Sequence, residues 1–272
     1  MKTKSALSYF GSDSAVASEL ASMLDHCDHV TVPFCGGLAI LPHLKARAVV
    51  ANDLNNQAIN FYRFASGRCG VGAQQLLIAR CEKTISHPDE LRLAEGYLKS
   101  PVSHTDKYPG LSQAWAYWAM CWIGRKGKGG TKSHAGGKPS VRRTAIGGNN
   151  ATRIRAVAND LDEWVSHFER CEWESTCFRN LLPKVADNPR CGIYCDPPWI
   201  GAGGNYVHAF LGVDHIALSE MLHRFKKTAV VIRYGDAELI RKLYENWHII
   251  EAKCRDQANT MKNEIWITNG KV

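Results

Sequence analysis

The stretch His29-Val30-Thr31-Val32-Pro33-Phe34-Cys35-Gly36-Gly37, followed after a short connection by Arg47-Ala48-Val49-Val50-Ala51-Asn52-Asp53, decides the fold. Both runs are apolar and rich in β-branched residues, as strands buried on both faces are. The first ends at a Gly-Gly turn, and the second at an Asn-Asp pair. Leu38 to Lys45 reads as a helix between them, and 55–65 as a second helix. Together these make a β-turn-α-β unit, the start of a parallel sheet. Upstream, residues 14–26 carry apolar positions at helical spacing, with Ser12 or Asp13 available as a cap.

Downstream the β pattern pauses. Residues 73–86, 89–98 and the Trp-rich 113–123 read as helices, then comes a Gly-rich basic stretch, then a helix over 151–170. Strand-like runs resume at 173–178, 191–196 and 228–233. The last two, 247–251 and 264–268, predict an antiparallel hairpin at one sheet edge. The expected organisation is therefore α/β. Residues 1–66 and 171–272 form a discontinuous sheet domain, and 67–170 a mainly helical insert. Trp115, Trp118 and Trp122 lie at helical spacing and read as the core of that insert rather than a base-stacking surface.

Over 272 residues, 45% hydrophobic and 22% charged, the composition is that of a globular protein and excludes a disordered chain, a collagen-like fibre and a coiled coil. No apolar run is long enough for a transmembrane helix, so no membrane partner is expected. Met1 to Lys4 is basic but leads into Ser8-Tyr9-Phe10-Gly11-Ser12-Asp13, not an apolar signal core, so a cytoplasmic protein is expected. Ten cysteines include no Cys-x-x-Cys pair and read as reduced core residues; no metal is expected. The net charge of +8 is concentrated in one place. No acidic residue lies between Asp106 and Asp160, while Arg125, Lys126, Lys128, Lys132, Lys138, Arg142, Arg143, Arg153 and Arg155 do, leaving the rest of the chain near neutral. Cations spaced by glycines suit a phosphate backbone. A solvated basic loop without a partner is the other reading.

Two constellations carry chemistry. Gly36 and Gly37, at a strand-to-helix turn, let a ligand approach the backbone, and Asp53, ending the next strand, can accept ribose hydroxyls. There is no G-x-G-x-x-G and no P-loop, and a Gly-Gly pair alone also reads as a plain tight turn. The second constellation is Cys195-Asp196-Pro197-Pro198-Trp199. Consecutive prolines end a strand ladder and stiffen the turn after it, where open α/β sheets bind their ligands. An acid, a carbonyl without a neighbouring N–H and an aromatic plane suit an exocyclic amine on a flat ring. A surface Pro turn beside a half-buried Trp is the plainer alternative.

The order Tyr9-Phe10-Gly11-Ser12, Pro33-Phe34-Cys35-Gly36-Gly37, Asn52-Asp53, a long insert, then Asp196-Pro197-Pro198-Trp199 resembles the D12 class (alpha group) of adenine-specific DNA N6-methyltransferases, over 8–65 and 175–268. The resemblance implies a Rossmann-like class I methyltransferase sheet with a terminal antiparallel hairpin, S-adenosylmethionine as donor, and an insert that recognises the target. It implies donor contacts from Tyr9, Phe10, Gly11, Ser12, Pro33, Phe34, Cys35, Gly36, Gly37, Asp53 and Asp196. Asp196, Pro197, Pro198 and Trp199 would hold the target amine. Arg125, Lys126, Lys128, Lys132, Lys138, Arg142 and Arg143 of the insert would meet DNA. A bacterial or phage-infected host and a cognate restriction endonuclease fit the same resemblance. The chain departs from the family at two places. Where the family often has Lys it has Asp13, and its motif ends in Trp199 rather than the commoner Tyr. Asp-Pro-Pro-Trp also occurs in RNA adenine methyltransferases, so an RNA substrate stays open, as does a nucleic-acid binder without catalysis. Methylation of a protein glutamine shares the planar-amide logic but usually wants Asn at the first motif position, and it gives the basic insert no role.

Overall fold

A computed structural model of the chain describes residues 5–103, 105, 107–124, 129–132, 149–255 and 261–272. Among them, seven strands form one sheet: β1 His29–Val32, β2 Ala48–Asn52, β3 Cys171–Glu174, β4 Cys191–Cys195, β5 Ala229–Gly235, β6 His248–Arg255 and β7 Met261–Thr268, in the spatial order β3-β2-β1-β4-β5-β7-β6. The first five run parallel, and β7 is antiparallel to both β5 and β6. The terminal hairpin is therefore present, with β7 against β5 and β6 outermost.

The strand order fixes where ligands can bind. From β1 the chain moves outward through β2 to β3, then returns to the other side of β1 as β4, with Thr31 opposite Ile193. The loops leaving the carboxyl ends of β1 and β4 run in opposite directions across the sheet, and the crevice between them is the topological switch point. The central strands are buried on both faces, with Val30, Val32, Val49, Ile193, Val230 and Ile232 at or near zero exposure, as parallel strands must be.

The α-helices among the described residues are α1 Ala17–Ser22, α2 Asn56–Ala65, α3 Val71–Glu82, α4 Pro88–Lys99, α5 Leu111–Ile123, α6 Asn150–Asn159, α7 Leu161–Phe168, α8 Phe178–Leu181, α9 Gly212–Leu222 and α10 Glu238–Leu243. Packing divides the chain into two compact units. The sheet unit is 13–35, 40–54 and 171–272, with a core that joins Phe178, Phe210, Leu218 and Leu222 to the strand residues Ile193, Ile232 and Ile265. The helical unit is 1–12, 36–39 and 55–170. The sequence reading joined 1–66 to the sheet; packing groups α2 and residues 1–12 with the helices instead.

The helical unit is organised by α5, in which Trp115, Trp118 and Trp122 are all buried, in line with the core reading. Trp115 donates its indole N–H to Thr84 at 2.8 Å, and Trp122 to the Ala6 carbonyl at 3.2 Å. Tyr62 on α2 meets Phe168 on α7 edge-on, and Trp164 stacks on Phe168.

Several local expectations are corrected. Leu38 to Lys45 is not an α-helix: Leu38 has φ 55° and only one 3-10 turn, Leu41–His43, forms around Pro42. A proline and a left-handed residue so close together cannot share one helix. The helix expected over 14–26 is confined to α1, and neither Ser12 nor Asp13 caps it. The helix expected over 151–170 is broken at Asp160 into α6 and α7. The strand expected over 173–178 covers Cys171–Glu174 instead.

Candidate active site

In the sheet unit, three neighbouring strands present their carboxyl ends together. β2 ends at Asn52 and hands on to Asp53, β1 to Pro33, Phe34 and Cys35, and β4 to Asp196, Pro197, Pro198 and Trp199. Asn52 fastens the first two: its amide donates to the Pro33 carbonyl at 2.8 Å and the Thr176 carbonyl at 3.0 Å, while its oxygen accepts the Thr176 N–H at 2.9 Å. The Cys35 N–H donates to the Asn52 carbonyl at 2.8 Å. The main chain of Asp53 is held by Glu174 and Ser175, and its side chain is half-buried. Phe34 packs on Phe178 and edge-on against Phe210, at 5.7 and 5.6 Å between ring centres.

Asp196 lies in a place unfavourable to charge. Burial pushes its carboxyl up to about 7, against the pull of the Arg233 guanidinium, and the nearby Asp13 and Glu264 carboxyls add to the rise. Arg233 Nη1 is 3.2 Å from Asp196 Oδ2. Beside the acid, Trp199 lies over Gly235 so closely that a Cβ there would come within 2.6 Å of the indole. Asp13 is a second buried acid. Burial raises its carboxyl, and the Tyr194 hydroxyl donates to it at 2.6 Å. Tyr206, in the loop after Trp199, is pushed up by burial and by Asp196 and Asp53, which marks it as a neighbour of both acids.

The remaining donor-motif residues belong to the helical unit. Residues 8–10 pair with Gly129: the Gly129 N–H donates to the Ser8 carbonyl and the Phe10 N–H to the Gly129 carbonyl. Gly36, at φ 44°, backs onto the Tyr9 ring, 3.1 Å from where a Cβ would stand; a side chain there would meet both backbone strain and the ring. Asn55 caps α2 through Gln57, and its amide donates to the hydroxyls of Tyr117 at 2.8 Å and Tyr9 at 3.3 Å. Gly11 is exposed, and the Ser12 hydroxyl is buried with no hydrogen-bond partner among the described residues. Of the expected DNA-contacting cations, Lys132 is exposed; Arg125, Lys126, Lys128, Lys138, Arg142 and Arg143 lie outside the described residues.

The family profile of the D12 class N6 adenine-specific DNA methyltransferases matches residues 9–257. The chain belongs to that family. It is therefore an enzyme of a class that methylates adenine at N6 in DNA. Among curated proteins no sequence matches the chain. For this methyltransferase the match runs through both units and spans every motif described above. Among the described residues no helix is long and apolar enough to cross a membrane, and no cluster of His, Cys, Asp and Glu could hold a metal.

Sequence reading missed Arg233, Glu264 and Tyr206. The first had a signal: an arginine inside Val230-Val231-Ile232-Arg233-Tyr234, an otherwise apolar strand, must find a partner when buried. The other two owe their place to strand register and loop path.

Proposed function

We propose that this methyltransferase takes its methyl group from S-adenosylmethionine and transfers it to an adenine flipped out of duplex DNA. The observation that carries this is the convergence, on three neighbouring carboxyl ends, of Asp53, of the Pro33–Cys35 turn and of Asp196-Pro197-Pro198-Trp199. The chemistry of the residues suits such a donor. Asp53 would accept the ribose hydroxyls and Phe34 would offer an aromatic face. Pro33 and Cys35 would contribute main chain. By family resemblance Gly36, Gly37, Tyr9, Phe10, Gly11 and Ser12 would also serve the donor, and the buried Ser12 hydroxyl is able to take a polar partner.

When bound, S-adenosylmethionine supplies a methyl group already activated by a positive sulfur. The protein's part is then positioning and charge stabilisation. Asp196 and the Pro197 carbonyl accept the N–H bonds of the amine. That turns the nitrogen lone pair toward the methyl group and stabilises the positive charge that builds on nitrogen until its proton leaves to water. Pro198 stiffens the turn, and Trp199 stacks on the extruded ring. An amine inside a duplex cannot reach such a pocket, so base flipping is required. The helical unit, with Lys132 and the basic segment from Arg125 to Arg143, serves as the target recognition region that neutralises phosphates.

The test is transfer of a radiolabelled methyl group to adenine-containing duplex DNA, with matched RNA as a parallel substrate. Asp196→Ala is expected to lose about 10²–10³ in turnover while calorimetry still detects S-adenosylmethionine binding. Turnover retained by that variant sinks the acceptor assignment, and preference for the RNA replaces the DNA reading.

A further inference from the structure

Behind the acceptor motif lies a buried chain of polar side chains with no role in the family motifs discussed above. Arg233 on β5 is 6% exposed and Glu264 on β7 is fully buried. Arg233 Nε and Nη2 both donate to Glu264 Oε2, at 3.0 and 2.7 Å, which directs Nη1 toward Asp196 Oδ2 at 3.2 Å. The other Glu264 oxygen accepts the Trp266 indole N–H at 2.9 Å. The guanidinium carbon also stands 5.0 Å from the centre of the Trp199 ring, within the range of a cation–π contact. Arg233 and Gly235 share one face of β5, so the residue that meets Asp196 sits beside the glycine over which Trp199 lies.

The charges explain why a cation belongs there. Three carboxyls, Asp13, Asp196 and Glu264, act on one another in this interior, and Arg233 opposes the rise of Asp196 and of Asp13. The other titratable groups around Asp196 are Tyr194 and Cys195 on β4, Tyr206 in the loop that follows, and Tyr234 on β5. Burial raises each of them, so all are uncharged at neutral pH. Without the guanidinium, Asp196 would take up a proton and lose the negative charge needed to stabilise the developing cation on nitrogen.

We propose that Arg233 is the positioning residue of the acceptor site: anchored through Glu264 and Trp266 to β7, it keeps Asp196 ionised and aimed, and it braces the Trp199 ring. The proposal rests on the reading of Asp196 as the amine acceptor. A buried ion pair serving only stability would lower the amount of folded enzyme and leave the protonation of Asp196 alone.

The experiment is the pH dependence of kcat/KM for methyl transfer to duplex DNA, whose acid limb reports groups of the free enzyme. Thermal stability and S-adenosylmethionine affinity are measured on the same samples. Asp196 must be ionised, so activity rises with pH through its value near 7. Arg233→Met is expected to move that limb upward by about one pH unit, a roughly fivefold loss at pH 7 that approaches tenfold at lower pH. Arg233→Lys keeps the charge and returns the limb toward its original place. Glu264→Gln frees the guanidinium from its anchor and is expected to move the limb upward, as Arg233→Met does, whereas the mere loss of a neighbouring negative charge would move it downward. If Arg233→Met does not fold, the direction of the Glu264→Gln shift carries the test alone, and a downward shift overturns the anchoring role. Limbs that stay in place in both variants, with only the plateau reduced, overturn the proposal. Asp196→Asn separates the two levels. Full turnover in that variant refutes the acceptor reading itself, whereas an inactive Asp196→Asn with unmoved limbs elsewhere refutes only the role of Arg233.

Discussion

The two units are held together by different physics. The helical unit buries neutral aromatic surface: Trp115, Trp118, Tyr117, Tyr62, Trp164 and Phe168 lie in its interior, where stabilisation scales with area removed from water and tolerates small shifts. The sheet unit also has an apolar core, but next to it lie Arg233, Glu264, Asp196 and Asp13, whose arrangement depends on distances of about a hydrogen bond. Replacing such a buried charge network by apolar residues is often neutral or stabilising, so its presence is weak evidence of a stability role and better evidence of a functional one. Damage to the helices should therefore read out as lost stability, and damage to the network as lost or re-tuned activity.

The largest effect expected beyond the acceptor itself is on the helical side. Trp118→Ala empties a fully buried site and should cost about 3–5 kcal/mol in denaturant unfolding. A cost under a third of that would mean the aromatic core is not what holds this unit. Next comes the sheet side. In Gly235→Ala the added methyl overlaps the Trp199 ring, an overpacking worth about 1–3 kcal/mol. Turnover should fall by a larger factor than donor affinity, and the loss of stability should stay within that overpacking cost, short of the loss in Trp118→Ala. Equal losses in all three would erase the contrast between the units. Smallest at physiological salt is the combined neutralisation of Lys126, Lys128, Arg142 and Arg143. It should flatten the salt dependence of DNA binding by about 0.9 for each phosphate that is no longer neutralised. An unchanged slope in filter binding would move the DNA interface elsewhere.

Much of the fold could be read from the sequence because its signals are local. Apolar runs marked the other strands to within a few residues, β3 being read two residues late, and the final pair was recognisable as a hairpin. The helix read over 55–65 matches α2, whose start the structure caps with Asn55. Failures occurred where context decides. The connection after Gly37 looked helical by composition, but Leu38 and Pro42 turn it into a 3-10 turn. Asp13 looked like a cap and instead faces Tyr194. The short α8 and α10 carry too few residues for a periodic pattern, and α9, though longer, lies in a loop-rich stretch that gave no signal. In the candidate site, motif chemistry singled out Asp53 and Asp196 through Trp199, which the sheet brings to neighbouring strand ends. Arg233 and Glu264 were not singled out, because what joins them is the register of β5 on β7, with Gly235 opposite Glu264. That register is a property of the assembled sheet.

The path of the chain through its two units also bears on how the enzyme is born. β1 finds β2 in the next stretch of chain, but its other neighbour, β4, follows only after the whole of 55–170. A nascent chain on the ribosome therefore carries the open edge of a central strand through the synthesis of α2 to α7, a long-range pairing of the kind that folds slowly and invites misassociation. Asp196 emerges before Arg233, and Glu264 comes last, on the final strand. Until β7 docks, Arg233 lacks the partner that fixes it, and the acceptor lacks its counter-charge in place. The last strand made is thus the one that completes the proposed acceptor site, and a chain that stops short of it carries every motif yet lacks the partner that holds Arg233 against Asp196.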